Sequence, residues 1–523
     1  MNLLSMNRPE PRRFVRTRLP SWSAVASLRD TAFGRLWTFK WRLTLGSVIA
    51  TGCLLTHPVL AQSPVALTIN TQAPGPTVPP DFGVFSFETD NLEYTNKKRH
   101  STGYFFNVTN TQLLTLFQNV GVKSLRIGGD SVDGTYIPST NDIDSYFAFA
   151  RVANVKSVFS LDLAHGTPSE DATMARYIWQ NYRTNVICLA IGNEPNQYRV
   201  NGQNHSITNF STFMKTWERY ASDVVRAVPD IQLGGPDNDG AATSWTSRFL
   251  RREQGSANFS CLLYHYKPLK SANNKTMEQL IAGELSPDLD TSNYPSCYNE
   301  IGDVARSHGL PYRFSEFNDY VAPAKIQLRD YSFAAALFAL DALHWWAAHD
   351  CSGVYFHTWS NGFHAAFYND SNGKFQLYPL GYGIAAFSVG GFGNVEPLAM
   401  SNVEGLNLTA YAIKNGTNLF VTVINKEYDT HARSAAVTIA PTGLPSGNVS
   451  AMFLVQKDGD VAATNGVTLG GAPISSAAPW DGQWTSMGAL TNGQCVIDVP
   501  ALSAVVVKIS TGRVNLAKRE KAH

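Results

Sequence analysis

The sequence predicts an α/β protein, a (β/α)8 TIM barrel with a C-terminal antiparallel β-sandwich domain. Two observations predict this fold. Between about residues 82 and 387, short apolar segments alternate with segments of helical periodicity, and eight apolar segments can be counted. Strands that alternate with helices form a parallel sheet, and eight such units without a reversal of strand order close into a barrel. From about residue 390, segments of alternating polarity are separated by Gly, Asn and Pro turns, which is typical of a sandwich.

The barrel prediction depends on where each strand ends. The eight predicted strands end near Glu88, Asp130, Leu163, Glu194, Gly235, Tyr266, Glu316 and Trp359. Helices are predicted between them at about residues 111–120, 145–152, 173–182, 210–227, 277–282, 297–308 and 331–349. In the first of these, Leu113, Leu114 and Phe117 recur at helical spacing. Glu194 and Glu316 therefore end the fourth and seventh strands of the predicted barrel.

Composition divides the chain into five segments. Residues 1–61 form a leader, and residues 62–80 contain a strand that joins the β-sandwich and a Pro-rich connector. Residues 81–388 form the barrel, residues 389–512 the sandwich, and residues 513–523 a polar tail that we expect to be disordered. Because the first strand precedes the barrel, the barrel is predicted to be inserted in the sandwich.

The leader has the pattern of a signal peptide with a long basic front end. A basic segment is followed by a 13-residue apolar run from Leu43 to Leu55 and by the small-residue cleavage site Val59-Leu60-Ala61. The run is short for a membrane span. Two alternatives stay open, an uncleaved signal anchor and a lipid-modified Cys53. We expect a secreted or periplasmic protein without stable membrane insertion after cleavage.

Charge and motifs exclude several classes of function. The formal net charge of +1 provides no electrostatic basis for binding nucleic acid or a membrane surface. The sequence contains no CxxC or HExxH metal spacing and no Gly-rich phosphate loop. We therefore expect no metal and no organic cofactor. Five Cys follow the leader, an odd number, so at least one is predicted to be free or to pair between chains.

The predicted fourth strand carries the most informative stretch, Val186-Ile187-Cys188-Leu189-Ala190-Ile191-Gly192-Asn193-Glu194-Pro195. An apolar strand buried on both faces ends in an amide, a carboxylate and a proline that stops the strand. A second apolar strand ends in Glu316, 122 residues further on. The carboxyl ends of barrel strands line one cleft, so both carboxylates are predicted to meet there. Two carboxylates that flank a scissile bond are what glycoside hydrolysis requires.

These residues resemble the large clan of retaining (β/α)8-barrel glycosidases, in which strand four ends in Asn-Glu-Pro and strand seven in Glu. The stretch Leu125-Arg126-Ile127-Gly128-Gly129-Asp130-Ser131 and the terminal sandwich resemble, more narrowly, glycoside hydrolase family 79, which contains β-glucuronidases and heparanases. The resemblance covers roughly residues 65 to 510. It implies a carbohydrate substrate, and the 11 Trp and 21 Tyr of the chain suit sugar binding.

The resemblance also implies roles for single residues. Glu194 matches the acid/base and Glu316 the nucleophile of the clan. Asn193 matches the amide that holds the substrate 2-hydroxyl, and Tyr266 the strand-six tyrosine that donates a hydrogen bond to the nucleophile. The remaining implied pocket residues are Glu88, which would hold sugar hydroxyls, Arg126 and Asp130, which would brace the pocket, and His357 and Trp359 on strand eight.

One departure affects the substrate. Family glucuronidases receive the uronic carboxylate on the backbone amides of a Gly-Gly pair after the nucleophile, whereas residues 316–325 here contain no Gly, and Pro323 has no N–H. Lys325 and Arg329 are the nearest cations in sequence that could replace these amides. Glucuronic acid is the predicted sugar. A neutral-sugar β-glucosidase or β-xylosidase and a non-catalytic carbohydrate-binding protein stay open as alternatives.

Overall fold

The computed structural model describes residues 63–96, 101–240, 243–321, 332–358 and 365–511. The leader, the C-terminal tail, Trp359, Lys325 and Arg329 lie outside the described residues. The predictions made for these residues are therefore not tested by the structure.

A closed barrel of eight parallel strands forms the larger part of the fold. Each strand pairs with the one that follows it in the chain, and the eighth pairs with the first. After an N-terminal strand β1 (Ser63–Asn70), the barrel strands are β2 (Gly83–Glu88), β3 (Ser124–Gly128), β4 (Lys156–Leu161), β5 (Val186–Ile191), β6 (Leu233–Asn238), β7 (Phe259–Tyr266), β8 (Tyr312–Phe317) and β9 (Cys351–His357). The predicted (β/α)8 barrel is confirmed.

The helices are α1 (Thr111–Val120), α2 (Thr140–Ala153), α3 (Pro168–Tyr182), α4 (Tyr198–Asn201), α5 (Phe210–Ala227), α6 (Thr243–Glu253), α7 (Met277–Glu284), α8 (Tyr294–Cys297), α9 (Asp303–Ser307), α10 (Phe333–Ala348) and α11 (Pro379–Gly390). The predicted helix at 297–308 is interrupted, because a π-helical segment, Tyr298–Gly302, separates α8 from α9. Capping fixes where α2 and α3 begin: the side chains of Ser139 and Thr167 accept hydrogen bonds from backbone N–H groups in the first turn.

Two further sheets pack face to face. The strands are β10 (Asn394–Val395), β11 (Leu398–Ser401), β12 (Leu408–Asn415), β13 (Asn418–Asn425), β14 (Ala435–Thr442), β15 (Asn448–Gln456), β16 (Val467–Leu469), β17 (Thr485–Ala489), β18 (Cys495–Val499) and β19 (Ser503–Ser510). One sheet has the order β11-β1-β14-β18 and the other the order β10-β12-β13-β19-β15-β16, with β17 paired to β15. Both sheets contribute to one apolar core, for example through Leu67, Val421 and Val505.

The N-terminal strand β1 lies inside the smaller sheet. It pairs with β11 in antiparallel fashion and with β14 in parallel over its whole length. The smaller sheet is therefore mixed, because β1, which precedes the barrel in the sequence, is parallel to β14. The β-sandwich is otherwise antiparallel, as predicted.

Helix α10 connects the two parts of the fold. It is apolar on nearly all sides and almost completely buried, which is expected of a helix covered on both faces. Its Phe338 ring stacks on Phe317 of β8, with centroids 6.0 Å apart, and its Asp341 accepts hydrogen bonds from Thr409 and Tyr411 of β12. Lys426, buried just after β13, lies 2.7 Å from Asp341 Oδ2.

Two findings concern the described residues as a whole. No helix within them combines the length and the apolar character needed to cross a membrane. The five cysteines Cys188, Cys261, Cys297, Cys351 and Cys495 are all free thiols.

Candidate active site

The two predicted carboxylates meet at the carboxyl ends of the barrel strands. Glu194 follows β5, the fourth barrel strand, and Glu316 lies within β8, the seventh. One oxygen of each lies within 4.8 Å of the other. Their side chains are 17% and 12% exposed, so both are largely buried but open to one cleft.

The backbone around Glu194 has unusual geometry. Gly192 has a φ of 91°, and a Cβ at this position would come within 2.7 Å of the Tyr198 hydroxyl, so a glycine is needed here. Glu194 itself has a φ of 44°, which non-glycine residues rarely adopt. Its N–H donates to the carbonyl of Asp237, 2.9 Å away, and Asp237 has a φ of 59°. Such backbone conformations are concentrated at functional sites, where the surrounding structure holds them.

Arg126 organises the bottom of the site. Its guanidinium is completely buried, and Nη2 donates to Asn193 Oδ1 at 2.6 Å and to Asp237 Oδ2 at 2.9 Å. Nη1 lies 3.4 Å from Glu316 Oε2 and donates to Ser86 Oγ at 3.3 Å. A planar guanidinium can hold an amide and two carboxylates at once. Arg126 thereby fixes Asn193 and Glu316 relative to each other.

Glu316 is surrounded by basic side chains. Lys267 Nζ lies 2.8 Å from Glu316 Oε1, and the imidazole nitrogens of His265 and His357 lie 3.8 and 3.7 Å from Oε2. Burial raises the pKa of Glu316, but Lys267, His357, His265 and Arg126 outweigh burial and hold that pKa well below its ordinary value. Glu316 is therefore an ionised carboxylate at neutral pH.

His265 bridges the two glutamates. Its Nδ1 lies 2.8 Å from Glu194 Oε1, and its Nε2 lies 3.3 Å from Asp237 Oδ1. Burial lowers the pKa of His265, but the negative charges of Asp237 and Glu316 and the hydrogen bonds to Asp237 and Glu194 raise it to about 10. The protonated imidazole donates to Glu194 and Asp237 together.

Asp237 is the anionic partner of this cationic pair. Burial raises its pKa, but Arg126 and His265 outweigh burial and keep that pKa below its usual range. Its other contact is the Ser315 hydroxyl, which donates to Oδ1. Asp237 thus stabilises both the Arg126 and the His265 positions.

Glu88 lies on the first barrel strand, β2. Its Oε2 accepts from the Ser131 backbone N–H at 2.8 Å, and its Oε1 lies 3.2 Å from His357 Nε2. Burial raises the pKa of Glu88, but the hydrogen bonds of His357 and Ser131 together lower it. A Cβ on Gly129 would come within 2.5 Å of the Glu88 carboxylate, which explains the glycine at this position. Glu88 and His357 therefore form one buried pair in the same cleft.

Asp130 follows the second barrel strand, β3, and is more exposed than Glu88. Its Oδ1 accepts from Asn193 Nδ2 at 3.4 Å. Partial burial and the negative charges of Glu88, Glu194 and Glu316 raise the pKa of Asp130 to about 6. Asp130 is therefore positioned beside Asn193 at the opening of the cleft.

The predicted hydrogen bond from Tyr266 to the nucleophile is wrong. The Tyr266 hydroxyl donates to the Asn293 carbonyl at 2.9 Å, and its ring packs against Phe314 and Trp346 outside the barrel. Side chains alternate along a strand, so His265 and Lys267, one residue to either side, face inward instead. Lys267 takes the contact with Glu316 that the resemblance assigned to a tyrosine.

Three residues that sequence reasoning did not assign to the site belong to it: His265, Lys267 and Asp237. His265 and Lys267 flank Tyr266 at the end of a predicted strand. A correct prediction of which residues of this strand face the barrel interior would have identified both. Asp237 follows Gly234-Gly235-Pro236, which indicates a turn, whereas β6 continues through Asn238.

A metal ion does not suit these residues. Ligand atoms of Glu194, His265 and Glu316 lie within 4.8 Å of one another. However, the oxygens of Glu316 already face Lys267 and Arg126, and His265 is protonated at neutral pH. A metal ligand must be a neutral imidazole or a free carboxylate, so the cationic side chains would repel a divalent ion here.

The chain was compared with known proteins. It matches no protein-family model and no curated protein sequence. Among solved structures, it is similar to the GH51 arabinofuranosidase from Xanthomonas axonopodis pv. citri, with a TM-score of 0.63 and 14% identity over 86% of this chain and 100% of that chain. It is also similar to a 4-O-α-L-rhamnosyl-β-D-glucuronidase from Fusarium oxysporum, with a TM-score of 0.62 and 16% identity over 84% of this chain and 99% of that chain. The bifunctional glucanase-xylanase CelM2 from a metagenome library has a TM-score of 0.62 and 10% identity over 86% of this chain and 99% of that chain. At these identities the likeness establishes the shared barrel fold.

Proposed function

We propose that this protein is a retaining β-glycoside hydrolase in which Glu316 is the nucleophile and Glu194 the acid/base. One observation carries the proposal: an oxygen of Glu194 lies within 4.8 Å of an oxygen of Glu316 at the carboxyl end of the barrel. Retaining enzymes hold their two carboxyl groups about 5–5.5 Å apart, and inverting enzymes hold them about 6.5–9.5 Å apart to admit a water. The short separation supports direct attack on the sugar.

In the first step, Glu316 forms a bond to the anomeric carbon while the bond from that carbon to the leaving oxygen breaks. Glu194, in its protonated form, gives its proton to that oxygen. His265 donates to Glu194 Oε1, which leaves Oε2 for the proton that is transferred. In the second step, Glu194 takes a proton from water, the water oxygen bonds to the anomeric carbon, and Glu316 is released.

Asn193, Glu88, Asp130 and His357 would bind the sugar. Arg126 orients Asn193 beside Glu316, which suits an amide that holds the 2-hydroxyl. Glu88 and His357 are paired in the same cleft and offer acceptors and donors for other hydroxyls. Trp359, which lies outside the described residues, remains a candidate on sequence grounds.

We propose β-glucuronidase-like specificity, with a neutral-sugar β-glycosidase as the second candidate. The resemblance of the Arg126 stretch to family 79 supports the first, and the glucuronidase among the structural neighbours is consistent with it. Neighbours that act on neutral sugars, such as the arabinofuranosidase and the glucanase-xylanase, support the second. We also propose that the protein is exported, which the basic and apolar leader supports. We further propose separate barrel and sandwich domains, which the two-sheet unit formed with β1 supports.

The proposal is tested with a panel of aryl β-D-glucuronide, β-D-glucoside, β-D-xyloside and α-L-arabinofuranoside. We expect turnover of at least one member, and we expect Glu316→Gln to abolish it. Binding without turnover across the whole panel would instead favour a non-catalytic carbohydrate-binding protein. Turnover that survives in the Glu316→Gln variant would place the nucleophile elsewhere.

A further inference from the structure

We propose that Lys267 selects an acidic sugar by pairing with its carboxylate at the catalytic pair, an inference that rests on the proposed function. Lys267 directly follows β7, and its Nζ lies 2.8 Å from Glu316 Oε1 with the side chain 16% exposed. The ammonium therefore lies beside the Glu316 carboxylate, which the anomeric carbon of the sugar must approach. A sugar whose anomeric carbon approaches Glu316 therefore also approaches this cation.

Lys267 has donor capacity that the described residues do not use. An ammonium has three N–H groups. Within the described ranges, Glu316 Oε1 is the one hydrogen-bond acceptor of Nζ. Arg126, by contrast, is completely buried and already donates to Asn193, Asp237, Ser86 and Glu316. Lys267 can therefore still donate to a substrate group, whereas both Nη atoms of Arg126 already donate to the protein.

The charges change during the proposed reaction in a way that favours an anionic substrate. When Glu316 forms its bond to the sugar, its carboxylate becomes a neutral ester, and Lys267 loses the anion it was paired with. Glu194 becomes negative in the same step, but its Oε1 is bonded to His265, 2.8 Å away. Arg126 keeps Asp237 as its partner at 2.9 Å. Among the described cations at Glu316, Lys267 is the one that loses its one hydrogen-bonded carboxylate, which is costly for a largely buried ammonium.

The charge of the transition state also favours an anionic substrate. Positive charge develops at the anomeric carbon and the ring oxygen as the leaving group departs. A cation beside Glu316 repels that charge, and the repulsion is strong in a site that excludes water. A carboxylate on C5 of the sugar would pair with Lys267 and offset the repulsion. A neutral sugar has no such group.

This arrangement also replaces the receptor that the sequence lacks. The Gly-Gly pair of family glucuronidases is missing, and Pro323 cannot donate. Lys267 reaches the same cleft from the sixth barrel strand instead of from the loop after the seventh. Lys267 would supply a side-chain cation where the resemblance implies backbone amides, and Lys325 and Arg329 lie outside the described residues.

The test compares Lys267→Met with wild type on four aryl glycosides: the β-D-glucuronide, its C5 epimer the α-L-iduronide, the β-D-glucoside and the 6-sulfated β-D-glucoside. The two uronides distinguish the face of the ring, and the sulfated sugar distinguishes a carboxylate from another anion. We expect wild type to prefer a uronide to the glucoside. In Lys267→Met, the uronide-to-glucoside ratio of kcat/KM should fall tenfold to a thousandfold. Lys270→Met, an exposed lysine three residues further on, is the matched control and should leave the ratio unchanged.

A second measurement separates specificity from an effect on the nucleophile. In a Glu316→Gln background the reaction is blocked, and binding of the aryl uronide can be measured by calorimetry. Adding Lys267→Met to that background should weaken uronide binding at least tenfold, with thermal unfolding used to confirm that both variants fold. Unchanged binding would overturn the inference.

The remaining outcomes each decide a separate point. Equal losses of kcat/KM on the uronide and the glucoside would show that Lys267 acts only on Glu316 and would overturn the inference. A wild-type preference for the glucoside would also overturn the inference and would favour the neutral-sugar candidate, but it would leave the retaining mechanism of Glu316 and Glu194 intact. A preference for the sulfated sugar would replace the carboxylate by a sulfate and overturn the inference as stated. No turnover of any panel member would overturn the proposed function and this inference together.

Discussion

His265 Nδ1 lies 2.8 Å from Glu194 Oε1, so the residue assigned as acid/base is held by a buried imidazole on a neighbouring barrel strand. The opposite ring nitrogen faces Asp237 at 3.3 Å. This arrangement fixes the orientation of the Glu194 carboxyl group toward the cleft. It also makes the stability of the site depend on the protonation of one histidine.

The pH dependence of stability follows from His265. Its pKa in the folded protein is about 10, above the ordinary 6.5, so its protonated form is favoured by folding. Its contribution to the free energy of unfolding is complete below about pH 6.5 and is lost as the pH rises through about 10. We expect the stability difference between wild type and His265→Gln to shrink over that range, measured by urea unfolding at pH 6, 8 and 10. The exposed His205→Gln is the control. A difference that stays constant from pH 6 to 10 would contradict the assignment.

The proposed role of Glu194 as acid/base predicts a dependence on the leaving group. Glu194→Ala should slow glycosides with poor leaving groups far more than activated aryl glycosides, because only the former need protonation. Azide should restore turnover of the activated substrates by occupying the space of the missing side chain. The measurement is kcat/KM on a series of leaving groups with and without azide. Equal losses across the series, without rescue, would show that Glu194 is not the acid/base.

Arg126 predicts a large effect on folding as well as on turnover. Arg126→Met leaves Asp237 buried without its guanidinium partner at 2.9 Å, and removing one member of a buried ion pair costs about 3–5 kcal/mol. Arg126→Lys should recover only part of this loss, because an ammonium cannot reproduce the contacts of both Nη atoms. Urea unfolding measures the loss, with the exposed Arg251→Met as control. A loss below about 1 kcal/mol would be inconsistent with the network.

Lys426 predicts how the sandwich and the barrel depend on each other. Its Nζ lies 2.8 Å from Asp290 Oδ2 and 2.7 Å from Asp341 Oδ2, with the side chain 1% exposed. Lys426→Met should destabilise the protein by about 3–5 kcal/mol, because two carboxylates lose their cation. Adding Asp341→Asn should recover part of the stability by removing one charge. If the double variant is less stable than Lys426→Met, charge is not the cause.

The fold could be predicted because the periodicity of the chain is unambiguous. Strands buried on both faces, such as β5, appear as continuous apolar runs, and helices such as α1 and α5 have clear apolar stripes. The parallel pairing of β1 with β14 could not be predicted, because strand order depends on contacts between segments that are more than 360 residues apart in the sequence.

The site residues that belong to a sequence motif could be predicted. The residues that were missed depend on which side chains of a strand face the barrel interior. Glu194 follows β5, Glu316 lies near the end of β8, and the two carboxylates meet as expected. Along β7, apolar residues occupy both faces: Cys261 and Leu263 point inward, whereas Leu262 and Tyr264 point outward. The alternation is therefore hidden, and a shift of one residue exchanges Tyr266 for its inward-facing neighbours.

Trapping a covalent sugar on Glu316 would be the most direct evidence that this glutamate is the nucleophile. The protein is incubated with an activated 2-deoxy-2-fluoro glycoside of its best aryl substrate, which slows release of the sugar from the enzyme, and the products are analysed by intact mass and peptide mapping. We expect one sugar per chain, bonded to the peptide that contains Glu316, and no adduct in Glu316→Gln. An adduct on another residue, or hydrolysis that inverts the anomeric configuration without any adduct, would contradict it.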